Sequence, residues 1–235
     1  MARRSARKAA GHGQPPRQEP LAVDALPARR RPWRVALAIT VAIAVAGAVG
    51  GLLLTRSGPS HRPVSAAGGG TIKWGSVRHL QTSAPPWPSE SGLLPQRLRA
   101  SGLDALTTEG TLLHHHAHLD LFVYGRRVTV PALVGIDERA GFLTELHTHD
   151  PSGIIHVESP VQLAFTLGQF FCEWGVKLNA TCLGPYRGRL AWWVNGRRMH
   201  GNPALLALEQ HQEIAIAAGR PPTTVPTSYD FPPGL

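Results

Sequence analysis

The chain has 235 residues, a formal net charge of +9 and two cysteines, which allows one ordinary domain with appendages. The charge is unevenly placed: residues 1–34 hold nine basic residues against two acidic ones, and the remainder holds 15 against 13. A nearly neutral body excludes the broad basic face on which nucleic-acid binding depends, so no nucleic-acid partner is expected.

Residues 1–34, rich in Arg, Ala, Pro and Gln, have too little apolar content to fold and read as a disordered basic tail. The uncharged run Val35–Leu54 follows, 20 residues long. At ~1.5 Å per residue a helix of that length spans ~30 Å, the hydrocarbon core of a bilayer. The arginines on its N-terminal side place the tail in the cytoplasm and the C-terminal domain outside, as a single-pass protein of the cell membrane. A cleaved signal peptide is the rival reading, but its apolar region is normally ~7–15 residues. Residues 55–90 carry "SGPSHRPVSAAGGG" and "SAPPWPSE" and read as a Pro/Gly/Ser-rich stalk. The folded domain is then expected over 91–220, with a Pro-rich, extended segment at 221–235. Outside the cytoplasm two nearby cysteines usually pair, so a disulfide between Cys172 and Cys182 is expected.

Within the domain, "LLPQRLRASGLDAL" predicts a short helix broken at Gly102. "HAHLDLFVYG" alternates with strand period, Ala117, Leu119, Leu121 and Val123 on one face and His116, His118, Asp120 and Phe122 on the other. "RRVTVPALVGI" predicts a second strand after a turn. "FLTELHTHD" and "GIIHVES" predict two more around the turn sequence "DPSG", and "VQLAFTL" another. Thr166 or Gly168 opens a helix with Phe170, Phe171 and Trp174 on its apolar side. "RLAWWVNGRRMHG" reads as strand, Asn-Gly turn, strand, and "QEIAIAAG" as a last strand. The sum is an α+β, β-rich domain, a sandwich or open barrel with one or two short helices.

Residues i and i+2 of a strand share a face. His147 and His149 therefore point together, as do His116 and His118, and His156 and Glu158. In each case the histidine-bearing face is the polar one, so the apolar faces can form the core while the imidazoles converge elsewhere. This pattern predicts a metal site drawn from His116, His118, His147, His149 and His156, with His114 and His115 outside it. Asp120, Asp150 and Glu158 are the expected acceptors for imidazole N–H groups. Two registers are open for the hairpin across "DPSG". Setting His147 opposite His156 keeps all polar groups on one face; turn chemistry favours a slip of one residue, because Pro151 cannot adopt positive φ. Face consistency favours the first, with a turn wider than two residues.

Imidazole suits zinc, copper, iron and nickel, and a mostly histidine set with one carboxylate favours Zn or Cu. Met199 is the only methionine after the apolar run, which argues against a Cu(I) carrier. The leading expectation is an extracytoplasmic domain that binds one transition-metal ion. A metal-dependent envelope enzyme, hydrolytic or oxidative with Glu158 as base, is the alternative, and a non-metal interaction module the third. The H-E-x-x-H, G-x-S-x-G and phosphate-loop signatures do not occur.

The segments "HHHAHLDLFVYGRRVTVPALVGI", "LHTHDPSGIIHVESP", "FTLGQFFCEWGV" and "PPTTVPTSYDFPPGL" resemble a group of membrane-anchored bacterial envelope proteins that share the pattern LHTHDxSGIIHVE. The resemblance covers about residues 91–235. It implies a common domain and no particular activity.

Overall fold

A computed structural model describes residues 71–235. The basic tail, the apolar run Val35–Leu54 and the first part of the expected stalk lie outside the described residues. Among the described residues no helix is long and apolar enough to cross a membrane.

The organising element is β1 (Leu113–Val123), whose alternating sequence separates two faces. It is followed by β2 (Arg126–Val128), β3 (Ile136–Asp137), β4 (Phe142–Leu143), β5 (Leu146–His147) and β6 (Ile154–Ser159). Later come β7 (Leu178–Asn179), β8 (Cys182–Leu183), β9 (Tyr186–Arg187), β10 (Ala191–Val194), β11 (Arg197–Met199) and β12 (Glu213–Ala218). Two α-helices occur among the described residues, α1 (Leu94–Ser101) and α2 (Leu167–Trp174). The main sheet has seven strands in the order β11-β10-β12-β1-β6-β5, an open path, with β2 also paired to β1. The N-terminal half of β1 pairs antiparallel with β6, and its C-terminal half pairs parallel with β12. The two hairpin turns fit their sequences. Tyr124-Gly125 (φ 50° and 81°) and Asn195-Gly196 (φ 50° and 73°) both take the positive φ of a tight two-residue turn.

One face of this sheet is apolar. Leu119, Leu121 and Val123 of β1 stand beside Ile214, Ile216 and Ala218 of β12, and Ala117 beside Ile155 of β6. Leu146, Val157 and Trp192 extend the same face, and Leu167, Phe170, Phe171 and Trp174 of α2 close over it. The opposite face begins with histidines on β1, β5 and β6 and grades into Phe122, Ala191, Ala215 and Ala217, against which Val225 packs.

Three expectations change. "VQLAFTL" forms no strand; only Thr166 makes an isolated bridge, to Ala207. The last β1–β6 pair is Leu113 with Ser159, and Pro160 then has no N–H to continue the ladder. "FLTELHTHD" is split because the chain changes partner: Phe142 and Leu143 pair with β3, and Leu146 and His147 with β6. "RRVTVPALVGI" ends as a strand at Val128, three residues before Pro131.

The domain also starts before residue 91, so much of the expected stalk is packed. Trp87 is buried against Trp174, with ring centroids 6.0 Å apart, and donates its indole N–H to Ser83 O at 2.9 Å. The buried Arg97 guanidinium donates to His79 O at 2.6 Å, Glu173 O at 3.0 Å and Glu90 Oε2 at 2.6 Å, tying this segment to both helices. The Pro-rich end is likewise placed: Tyr229 stacks on His118 and Phe231 lies against His211.

The expected disulfide is not formed. Cys172 and Cys182 are both buried free thiols. The helix turns Cys172 toward Ile72 and Val77, whereas Cys182 on β8 directs its Sγ to Gly184 O at 3.2 Å. Closeness in sequence did not bring the two side chains into one packing environment. Burial pushes the Cys172 thiol up to about 12, reinforced by the neighbouring Glu173, so it is not a ready nucleophile.

Candidate metal centre

The register across the "DPSG" turn is the face-consistent one. His147 stands opposite His156 and Leu146 opposite Val157. The conflict with turn chemistry is removed by width, because strand pairing stops at His147 and the chain returns only at Ile154. Asp150 Oδ1 accepts the Ser152 N–H at 2.8 Å inside that turn. Gly153, at φ +97°, lets the turn pass under β1; a Cβ there would meet Leu119 O at 2.7 Å. On the other side of β6, His116 stands opposite His156 and His114 opposite Glu158. Three imidazoles, His116, His156 and His147, thus stand level across three adjacent strands.

The rings are close. His116 and His156 have centroids 4.6 Å apart, His147 and His156 5.2 Å, and His149 lies 4.5 Å from His156 and 4.8 Å from His147. His147 is fully buried and His116 is 2% exposed, while the side chains of His149 and His114 are 45% and 49% exposed. The site is a buried floor with a solvent-reaching rim. His147, His149 and His156 each offer one ring nitrogen such that the three lie within 4.8 Å of one another; His114, His116 and Glu158 form a second such group. Three ligands around one tetrahedral ion sit about 3.4 Å apart, so modest side-chain adjustment converts either group into a coordination shell.

The electrostatics favour ligand character. His147 Nδ1–H donates to Thr144 O at 2.9 Å, which fixes the tautomer and leaves the Nε2 lone pair facing the cluster. His156 Nδ1–H donates to Glu158 Oε1 at 3.0 Å, leaving its Nε2 free. Desolvation by burial lowers both His116 and His147 to about 4; the neighbouring His156 adds to this in His116, and the Thr144 hydrogen bond opposes it in His147. At neutral pH both are uncharged, as metal ligation requires. Burial alone would raise Glu158. The hydrogen bond from His156 and the nearby His147 and His114 outweigh it and hold the carboxyl below its ordinary value. Four buried polar atoms here have no hydrogen-bond partner: His116 Nδ1 and Nε2, His147 Nε2 and Glu158 Oε2. Burying such atoms unsatisfied costs about 1–3 kcal/mol each, and a cation would engage the lone pairs of His147 Nε2, Glu158 Oε2 and the unprotonated nitrogen of His116.

Four of the five expected histidines come together; His118 stands apart. Its Nε2 lies 3.0 Å from Ser152 O, its Nδ1 is hydrogen-bonded to Glu213 Oε2 at 2.6 Å, and Tyr229 stacks on the ring at 3.7 Å. Both nitrogens are therefore occupied. Asp120 belongs with this second network: it pairs with Arg127, and His118, Asp120 and Glu213 form a further buried group whose donor atoms lie within 4.8 Å of one another and could hold an ion of its own. Asp150 caps its own turn. Of the three expected acceptors only Glu158 serves the cluster, for His156, and the acceptor for His147 is Thr144 O. Two site members, and one member of the His118 network, were not anticipated. His114 shares the β1 face of His116, and the same i, i+2 rule extended by one step identifies it. Glu109, whose Oε1 lies 3.4 Å from His149 Nε2, comes from a loop with no periodic signal. Glu213 reaches His118 only through the parallel pairing of β1 with β12.

No family model, curated protein or solved structure matches the chain. Its class therefore rests on fold and site: a β-rich α+β domain whose histidine clusters could hold a metal ion.

Proposed function

We propose that the domain binds a transition-metal ion through His147, His149 and His156 and works outside the cytoplasmic membrane, carried there by Val35–Leu54. The observation behind the metal reading is the trio itself. One imidazole is buried and tautomer-fixed, one is oriented by Glu158, and one lies at the solvent rim, with all three donors within 4.8 Å of one another. A neutral, imidazole-rich set suits Zn²⁺ or Cu²⁺ ahead of Fe or Ni. The location is supported by the length of the apolar run and the arginines before it.

The test is metal content after dialysis of tag-free protein against Zn²⁺ or Cu²⁺. His149→Ala, an exposed change, should weaken binding at least tenfold. The double variant His147→Ala/His149→Ala should lose stoichiometric metal with unchanged far-UV circular dichroism. His200→Ala, at an exposed position remote in sequence from the cluster, should bind as wild type. Full binding by the folded double variant would remove the reading.

A further inference from the structure

The trio does not use all of the donors on this face. With one ion on His147, His149 and His156, two buried groups still lack partners: both ring nitrogens of His116 and Oε2 of Glu158. His116 and Glu158 form their own group with His114, and this group shares no residue with the first. The two sets adjoin, because His116 stands directly opposite His156 on the neighbouring strand. Glu158 touches both. Its Oε1 accepts the His156 Nδ1–H at 3.0 Å and lies 3.4 Å from His114 Nε2 and 3.9 Å from His116 Nε2, and its Oε2 lies 3.9 Å from His147 Nε2. With Oε2 toward His147 and Oε1 lying among His156, His114 and His116, the carboxylate stands between the two imidazole sets, where a bridging ligand would lie. Glu109 forms a further group with His147 and Glu158, so a second carboxylate stands at the same junction.

We propose that the site is a two-metal centre. His147, His149 and His156 hold one divalent transition-metal ion, His114 and His116 hold a second, and the Glu158 carboxylate bridges them. The inference rests on the metal-binding reading above and adds the second ion. Bridged pairs of this kind sit ~3.5–4 Å apart, a separation that ring centroids 4.6 Å apart for His116 and His156 accommodate. The negative charges of Glu158 and Glu109 offset part of the repulsion between the two cations. His114 is the solvent-facing ligand of the second ion, as His149 is of the first.

Zn²⁺ stoichiometry of the tag-free full chain by native mass spectrometry, with Cu²⁺ electron paramagnetic resonance, decides it. Wild type should bind two Zn²⁺ per chain. With two Cu²⁺ per chain, the integrated resonance should fall well below total copper, because adjacent spins couple. His114→Ala, an exposed change, should weaken the second equivalent at least tenfold and restore the full single-ion signal at one Cu²⁺ per chain. One equivalent in both wild type and His114→Ala overturns the two-metal proposal and leaves the single-ion reading standing. No metal in wild type overturns both. Two equivalents that His114→Ala leaves intact, or two that give uncoupled copper, place the second ion elsewhere and overturn the proposal.

Discussion

At the scale of the residue, burial and tautomer decide which histidines can serve. His115, His116 and His118 are near neighbours in sequence, yet His115 Nε2–H donates to Leu208 O at 3.1 Å, His118 is bonded at both nitrogens, and His116 is free at both. The depressed His116 and His147 have a consequence for metal-free protein. Each is neutral in the folded state down to about pH 4, whereas in the unfolded chain it protonates near 6.5. Between those values the unfolded state binds more protons, so stability is full above 6.5 and is lost as pH falls, by up to about 1.4 kcal/mol per pH unit per histidine. Glu145 and Glu173, raised by burial, act in the opposite direction in an overlapping window. The difference between variants is therefore what counts. Urea denaturation of apo protein at pH 7, 6 and 5 should show that His147→Gln loses less stability on acidification than wild type. Equal losses would mean that His147 is not held neutral by the fold.

At the scale of the element, α2 is positioned by its first turn. Thr166 and Gln169 form a capping box in which the Thr166 N–H donates to Gln169 Oε1 at 2.9 Å. Gln169 Nε2 also donates to Ser101 O at 3.1 Å, so the same buried side chain joins the start of α2 to the end of α1. Gln169→Ala removes the cap contact and strands a buried carbonyl. It should cost about 2 kcal/mol, read as a lower urea midpoint with unchanged slope. The short helix in "LLPQRLRASGLDAL", the β1 alternation and the Asn-Gly hairpin were legible because each depends on local period or turn chemistry. The short strands β7 to β9 were not, nor was the break that separates β4 from β5 within "FLTELHTHD". Two residues carry no readable period, and such strands exist only because a partner passes alongside.

At the scale of the whole molecule, the two faces of one sheet divide the labour. The apolar face packs on α2, and the other carries the histidines, with the end of the chain laid over its alanine-rich part. Among the described residues no helix is long and apolar enough to cross a membrane, and the anchor proposed above is Val35–Leu54. Membrane fractions should retain the full chain, and replacing two central residues of the run, Ile43 and Val45, with Asp should release it, since each charge costs about 3 kcal/mol at mid-bilayer. A mature N-terminus near Ala66 would show cleavage instead and remove the anchor.

The sequence by itself determined which face of each histidine strand is polar, and thereby that His116, His147 and His156 could meet; His149 joins them from the turn just beyond β5. Period two leaves a strand no other arrangement once its apolar side is buried. It also favoured the hairpin register, because only one register kept Leu146 beside Val157. Tertiary structure decided the rest. It drew His118 away to Glu213 by setting β12 parallel to β1, joined His114 to the cluster through Glu158, and kept Cys172 and Cys182 apart. These outcomes depend on which distant segments become neighbours, and strand period constrains the direction of a side chain but not the identity of the strand beside it.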